Sequence, residues 1–129
     1  KKFDLALADY NKAIELKPDI ADSYFGRGSV YANQGKFDLA IKDYNKAAQL
    51  NPNNPSLYYS RGYLYASHGD IELSIADFTK CIALMPNAPD PYYIRAQLYA
   101  RQNKVAEAKA DYAMAKKLNP KLTIPPGFE

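Results

Sequence analysis

The sequence predicts an all-α solenoid of stacked antiparallel helix pairs, because one spacing recurs along the whole chain. A proline occurs every 34 residues, at Pro18, Pro52, Pro86 and Pro120. The residues before each proline repeat with it. A small residue recurs at Ala6, Ala40, Ser74 and Ala108, an aromatic residue at Tyr10, Tyr44, Phe78 and Tyr112, and a second small residue at Ala13, Ala47, Cys81 and Ala115. A fixed period of this length is typical of stacked supersecondary units rather than of a single globular core.

Each period contains two helical segments. Between residues 21 and 33, apolar and small residues recur at three- and four-residue steps that include Tyr24 and Tyr31, which is the helical period. Gly35 then interrupts the pattern, since glycine readily adopts the left-handed conformation that ends a helix. The helical period resumes after Gly35 and ends before Pro52, which cannot continue a helix. One period therefore predicts a helix A and a helix B joined by short turns.

The period divides the chain into an opening helix B, three complete helix pairs and a tail. The half-repeat covers residues 1–20, the complete repeats cover 21–54, 55–88 and 89–122, and the tail covers 123–129. Because the tail contains Pro125-Pro126-Gly127, we expect an extended, polyproline-like structure there. Two interpretations of the tail remain open. Its apolar residues fold back over the last helix B, or they insert into another molecule.

These residues resemble the tetratricopeptide repeat (TPR). Its signature is a large aromatic residue, Leu-Gly and tyrosine in helix A, followed by alanine, an aromatic residue and proline in and after helix B. The matching positions are Tyr24, Gly28, Tyr31, Ala40, Tyr44 and Pro52, then Tyr58, Gly62, Tyr65, Ser74, Phe78 and Pro86, then Tyr92, Ala96, Tyr99, Ala108, Tyr112 and Pro120. The resemblance covers nearly everything before the tail. It implies a right-handed superhelix with a concave groove lined mainly by A helices, and a non-catalytic scaffold or adaptor that binds proteins.

One departure from the TPR signature recurs at the repeat period. Where the family has leucine before glycine, this chain has Arg27, Arg61 and Arg95. An aspartate precedes the helix B aromatic residue each time, at Asp9, Asp43, Asp77 and Asp111. We expect a ladder in which each arginine bonds the aspartate of its own helix pair, with a bond to the preceding pair as an option, and which fixes register more than it adds stability. An anion site built from the three arginines is the minor alternative, because every arginine has a carboxylate available.

The sequence offers little support for catalysis. The only histidine, His68, ends a helix A and is interpreted as a solvated residue favoured by the helix dipole. The only cysteine, Cys81, takes a position that alanine holds in other repeats, so it is interpreted as a small buried hydrophobe. Neither a metal-ligand spacing nor a glycine-rich phosphate loop occurs. We therefore expect no enzyme activity, no catalytic residue, no metal and no cofactor.

The concave groove is the predicted ligand-binding site. One stripe of each helix A lies beside the core positions and combines aromatic with hydrogen-bonding side chains, a combination that suits a peptide ligand. The predicted groove residues are Phe25, Ser29, Asn33, Tyr59, Ser60, Tyr63, Ser67, Tyr93, Ile94, Gln97 and Arg101. Among them, Phe25, Tyr59 and Tyr93 are expected to form an aromatic row. The alternative is that these three rings only pack against neighbouring A helices.

The resemblance also makes it possible to test the sequence for one ligand class of the family, the Hsp70 and Hsp90 tails. TPR domains that bind the acidic C-terminal tails of Hsp70 and Hsp90 hold them with a carboxylate clamp of lysine, asparagine and arginine. The matching positions here carry none of these residue types; they are Phe25, Ser29, Ser60, Asp90 and Ile94. We therefore expect a protein or peptide partner that is not an Hsp70 or Hsp90 tail.

Charge and hydropathy narrow the other function classes. A net charge of +3 is too mild to indicate a nucleic-acid partner, although an RNA-binding helical repeat stays as a minor alternative. No apolar run reaches the about 18 residues that span a membrane, so no membrane insertion is expected. The chain starts at Lys1 within a repeat, which predicts a fragment. Whether a targeting segment has been removed from it stays open, and the cytoplasm is only slightly favoured. The uncovered opening helix B supports a second hypothesis, self-association through the array ends.

Overall fold

The computed structural model describes residues 2–129, which form seven α-helices and a C-terminal tail. The helices are α1 (Lys2–Leu16), α2 (Ala21–Asn33), α3 (Phe37–Leu50), α4 (Pro55–Ser67), α5 (Ile71–Leu84), α6 (Pro89–Arg101) and α7 (Val105–Leu118). No strand occurs between residues 2 and 129. Helix α1 is a B helix, and α2–α3, α4–α5 and α6–α7 are A–B pairs. The prediction of an all-α solenoid of helix pairs is confirmed.

The three turns within the helix pairs share one backbone geometry. Gly35 and Gly69 have φ angles of 74° and 91°, and Asn103 has 59° at the equivalent position. Asparagine is one of the few residues with a side chain that enters this left-handed region readily. The same backbone bond of 2.9 Å closes each turn, from Lys36 N to the Tyr31 carbonyl, from Asp70 N to the Tyr65 carbonyl and from Lys104 N to the Tyr99 carbonyl. The three turns therefore end helix A with the same left-handed residue and the same closing hydrogen bond, as expected for Gly35 from the sequence.

Consecutive repeats are joined by one recurring hydrogen bond. A tyrosine hydroxyl of helix A donates to a proline carbonyl in the preceding turn, from Tyr24 to Pro18 at 2.7 Å, from Tyr58 to Pro52 at 2.8 Å and from Tyr92 to Pro86 at 3.0 Å. We call these three bonds the repeat joints. The prolines that revealed the period in the sequence are thus also acceptors in the contact that fixes one repeat to the next.

The core follows the array as a line of buried side chains. Its main cluster spans the first two complete repeats and reaches into the third; it contains Tyr24, Ala47, Leu57, Tyr58, Phe78, Cys81 and Leu98. A second cluster in the last pair contains Ala96, Ala108 and Tyr112. Cys81 is fully buried, which confirms its interpretation as a small core residue.

We expect Cys81 to react slowly with thiol reagents in the folded protein. Its side chain is fully buried, and burial raises the pKa of the thiol to about 11. Near neutral or mildly alkaline pH almost none of it is then thiolate, the reactive form. Alkylation by iodoacetamide, followed by mass spectrometry, should be more than about tenfold slower in buffer than in urea. Equal rates in the two solutions would contradict the burial of this thiol.

Helix α1 is the least covered element. None of its described residues is buried, and Leu5 and Leu16 are 70% and 69% exposed. The helix is held through Tyr10, whose ring fills the space that a side chain at Gly26 would need. Because only one helix A packs against it, the outer face of this half-repeat stays open.

The C-terminal tail folds back on the last helix pair. The hydroxyl of Tyr93 donates to the Thr123 carbonyl at 3.0 Å, and the rings of Phe128 and Tyr112 lie 5.5 Å apart between centroids. Ile124 and Phe128 pack against the second core cluster. Of the two interpretations left open by the sequence, the structure supports the fold-back.

The tail takes the position of a further helix A. Phe128 stands 34 residues after Ile94, and Ile94 packs against the main cluster, which contains Phe78. Phe128 makes the corresponding contact with Tyr112, which stands 34 residues after Phe78. The tail therefore covers the apolar end of the array with an extended segment instead of a helix.

Candidate functional site

Arg27, Arg61 and Arg95 of the A helices each form a bidentate ion pair with the aspartate of their own helix pair. Nε and Nη2 of Arg27 both donate to Asp43 at 2.8 Å. The same atoms of Arg61 donate to Asp77 at 2.9 and 2.7 Å. Those of Arg95 donate to Asp111 at 2.6 and 2.8 Å. All three aspartates are buried. The charges of the three arginines are thus neutralised inside the array.

The remaining guanidinium nitrogen reaches the preceding repeat but not its aspartate. Nη1 donates from Arg27 to Asn11 at 3.0 Å, from Arg61 to Asn45 at 2.9 Å and from Arg95 to Thr79 at 3.1 Å. These acceptors stand two residues after the preceding aspartate. The expected option of a bond to the preceding aspartate is therefore wrong. Asp9 is exposed and, within residues 2–129, joins no ion pair, so it lies outside the ladder.

Burial and pairing oppose each other at these ion pairs. At Asp77, burial raises the carboxyl pKa more than the hydrogen bonds and charge of Arg61 lower it. At Arg27, the hydrogen bond to Asp43 raises the guanidinium pKa against the effect of burial. Opposed contributions of this kind give a buried pair little net stabilisation. That the ladder fixes register more than it adds stability stays a prediction.

A cleft of about 520 Å³ opens between helices α2, α3 and α4. We call it the first cleft. Its lining residues are Ser29, Ala32, Asn33, Tyr44, Tyr59, Ser60, Tyr63, Leu64 and Ser67. Six of these were predicted groove residues, namely Ser29, Asn33, Tyr59, Ser60, Tyr63 and Ser67. None of the nine carries a charge, and the volume lies in the range of ligand sites in proteins.

A second cleft, of about 440 Å³, follows between α4 and the last helix pair. It contains the predicted groove residues Ile94, Gln97 and Arg101, and it shares Tyr63 with the first cleft. Tyr63 is 50% exposed, so its ring stands between the two clefts. The second cleft differs from the first in carrying one cation, Arg101.

The predicted aromatic row lies only partly in this groove. Phe25 packs on Tyr44 with ring centroids 5.8 Å apart, and Tyr93 packs on Tyr112 at 5.1 Å. Neither Phe25 nor Tyr93 lines the first or the second cleft. Only Tyr59 reaches a cleft. The packing alternative thus describes Phe25 and Tyr93, but their partners are helix B rings of the same pair rather than neighbouring A helices.

Sequence reasoning missed Tyr44, which lines the first cleft although it stands in a core position. Its ring is buried, but its hydroxyl lies 3.1 Å from Ser29 Oγ, within hydrogen-bonding distance. The sequence held a signal for this contact. Phe78 fills the same position one repeat later without a hydroxyl, and a buried tyrosine hydroxyl requires a polar partner.

The lone histidine and the search for metal ligands point to no metal centre among residues 2–129. His68 is exposed and stacks on the ring of Phe37 with centroids 3.6 Å apart. That range contains no group of three or more histidine, cysteine, aspartate or glutamate residues that could hold a metal ion. Its helices are also too short or too polar to cross a bilayer.

Solved structures share this fold. MamA from Desulfovibrio magneticus RS-1 is 18% identical, with a TM-score of 0.84 over 93% of this chain and 68% of that one. YrrB, described as a TPR protein with an unusual peptide-binding site, is 24% identical, with a TM-score of 0.83 over 92% and 61%. The first TPR of Spaghetti (RPAP3), bound to the HSP90 peptide SRMEEVD, is 29% identical, with a TM-score of 0.72 over 79% and 81%.

Family models for the repeat match almost the entire sequence. A TPR repeat model matches residues 1–35 and 28–69, and a second tetratricopeptide repeat model matches residues 55–87 and 89–122. No curated protein matches the chain. With seven helices that fit about three and a half repeats, the chain belongs to the tetratricopeptide repeat family.

Proposed function

We propose that this chain is a non-catalytic interaction module that binds a peptide or protein segment in its concave groove. Repeat arrays of this family generally present extended concave binding surfaces. The first cleft carries the proposal, because it places hydroxyl and amide groups beside the half-exposed ring of Tyr63. Exposed tyrosine flanked by adaptable polar groups is typical of surfaces that bind proteins. YrrB is described as having a peptide-binding site and the RPAP3 TPR is bound to an HSP90 peptide, which supports the same ligand class.

We further propose that Hsp70 and Hsp90 tails are not the ligands, although one TPR of similar fold binds an HSP90 peptide. The two clamp positions in the first cleft are Ser29 and Ser60, which offer no positive charge. Three of the four A-helix arginines, Arg27, Arg61 and Arg95, are already paired with aspartates. The positions where the clamp places its cations are Phe25, Asp90 and Ile94. None of them is positively charged, so an acidic tail would meet no cation there.

The groove proposal predicts that Tyr63→Ala weakens partner binding by about tenfold or more, as loss of a central interface tyrosine does. Leu73→Ala is the matched control, because Leu73 is also 50% exposed but lies on a helix B. Affinity capture from source-cell lysate, quantified by mass spectrometry, would compare the two variants with the unchanged chain. Partners lost only with Tyr63→Ala would support the groove. Partners kept by both variants would contradict it.

A second candidate is a structural element that assembles through its N-terminal end. The observation in its favour is an exposed apolar stripe of α1, where Leu5 and Leu16 lie about three helical turns apart on one side and are 70% and 69% exposed. Sedimentation equilibrium separates this candidate from the first. An assembly that Leu5→Glu breaks and Tyr63→Ala leaves intact would favour the structural role.

A further inference from the structure

We infer that two copies of this chain form a closed dimer, in which their α1 helices pack side by side and antiparallel. This dimer rests on the second candidate function, assembly through the N-terminal end, and it does not involve the groove. Four residues on one side of α1 make the contact, namely Leu5, Asp9, Lys12 and Leu16. We call them the α1 face.

The α1 face is a continuous, uncovered side of its helix. Its four residues follow one another at steps of four, three and four, which keeps them on one side of a helix. All four are exposed. Leu50 and Leu84, which hold the position of Leu16 in later repeats, are instead partly buried against the main cluster. The half-repeat therefore exposes a position that the complete repeats cover.

The α1 face is complementary to itself. Steps of four, three and four read the same in both directions, so an antiparallel copy matches all four positions at once. Leu5 then faces Leu16 of the second copy, and Asp9 faces Lys12 of the second copy. Each contact occurs twice, as a two-fold axis requires. Parallel pairing would instead set Asp9 against Asp9 and Lys12 against Lys12, and like charges repel. The charges thus select the antiparallel arrangement.

Both charges of the α1 face are available to a second copy. Asp43, the equivalent of Asp9 one repeat later, is buried and bound by Arg27. Asp9 is exposed and joins no ion pair within residues 2–129. In that range Lys12 pairs only with Glu15, at 3.9 Å and on the surface, where an ion pair contributes little. A new partner for either charge therefore displaces no strong contact.

The opposite end of the array offers no matching apolar surface. The C-terminal tail covers it, with Ile124 and Phe128 packed against the second core cluster. Lys109 is exposed on α7 at the position of Ile75, which packs against the main cluster one repeat earlier. A head-to-tail row of copies would have to join this covered and charged end to α1. Pairing through α1 alone closes after two copies.

Sedimentation equilibrium of the 129-residue chain tests this dimer. A contact confined to one helix is smaller than the standard interface of about 800 Å² per partner, so concentrations up to about 0.5 mM are used. We expect Asp9→Lys and Lys12→Asp each to weaken dimerisation at least about tenfold, since each sets like charges together twice. An equimolar mixture of the two variants should recover the original affinity to within about threefold, because opposite charges meet again in the mixed pair.

Two control variants reverse exposed charges on another helix B. Lys46→Asp makes the same change at the position of Lys12 one repeat later, and Asp38→Lys reverses an acidic residue of α3. Each should change the dimerisation constant less than about twofold. Circular dichroism of all four single variants checks that the helices are intact, as expected for exposed positions.

The outcomes separate the antiparallel contact from assembly in general. Recovery in the mixture, with neither single variant pairing alone, would support the dimer. If Leu5→Glu breaks a dimer that both charge reversals leave intact, the antiparallel register is wrong and assembly through α1 survives. A mass that rises beyond two copies would overturn closure. A chain that stays monomeric throughout would overturn the dimer and the second candidate function together, while the groove keeps its own test with Tyr63→Ala.

Discussion

Phe78→Ala should lower the free energy of unfolding by about 4 kcal/mol, the scale of a large buried ring replaced by a methyl group. Phe78 is fully buried in the main cluster. Its ring packs edge-on against Tyr59 and Tyr63, with centroids 5.4 and 5.7 Å apart. It also lies so close to Gly62 that an added Cβ there would stand 2.9 Å from the ring. Helices on both sides hold these neighbours in place, so the cavity left by the ring stays largely unfilled.

Urea unfolding followed by circular dichroism would measure this loss. Phe3→Ala is the matched control, because it makes the same chemical change at a ring that is 42% exposed on α1. We expect that control to cost less than about 1 kcal/mol, in proportion to its partial burial. Similar costs for the two variants would contradict the position of Phe78 at the centre of the core.

Asp77→Ala should destabilise the protein by about 3 kcal/mol, because it leaves a largely buried guanidinium without its carboxylate. The Arg61 side chain is only 17% exposed, and two of its nitrogens bond Asp77 at 2.9 and 2.7 Å. Without Asp77, the one bond that remains is the contact of Nη1 with Asn45. The free energy of unfolding in urea again provides the measurement.

Two further variants show whether the loss comes from the unpaired charge. Glu15→Ala removes an ion pair whose nitrogen and oxygen lie 3.9 Å apart and whose side chains are 65% and 73% exposed. It should lower the free energy of unfolding by less than about 0.5 kcal/mol. The double variant Arg61→Leu and Asp77→Leu removes both charges and should recover most of the stability lost by Asp77→Ala. If Asp77→Ala costs no more than Glu15→Ala, the ladder contributes nothing to the fold.

The helices could be predicted from the sequence because single residues, at a fixed spacing, end each of them. Pro52 and its equivalents stop each helix B, and Gly35, Gly69 and Asn103 stop each helix A with a positive φ angle. Those constraints are local, so they require no knowledge of the rest of the fold.

Contacts between repeats were harder to predict, since they depend on the rotation from one helix pair to the next. Spacing within a pair relates Arg61 to Asp77 sixteen residues later. Spacing alone does not show whether the outer nitrogen of Arg61 meets Asp43 or Asn45 in the preceding repeat, and the structure places it on Asn45. A rotation of half a helical turn separates the two choices.

The contacts of the groove were likewise predictable only in part. Helical facing correctly grouped Ser29, Ser60 and Tyr63 along one cleft, because neighbouring A helices present equivalent faces. It did not show that Tyr93 would donate to the Thr123 carbonyl. Because the tail is not helical, helical spacing predicted none of its contacts, and the sequence left the fold-back as one of two open paths.

The three repeat joints have a consequence for the lengths that this array can take. Each joint needs its tyrosine exactly six residues after its proline, from Pro18 to Tyr24, Pro52 to Tyr58 and Pro86 to Tyr92. Adding or removing a whole repeat preserves that count, whereas inserting one residue between a proline and its tyrosine breaks that joint. The length of such a surface can therefore change only in whole-repeat steps, and a segment bound along it would gain or lose contacts in the same increments.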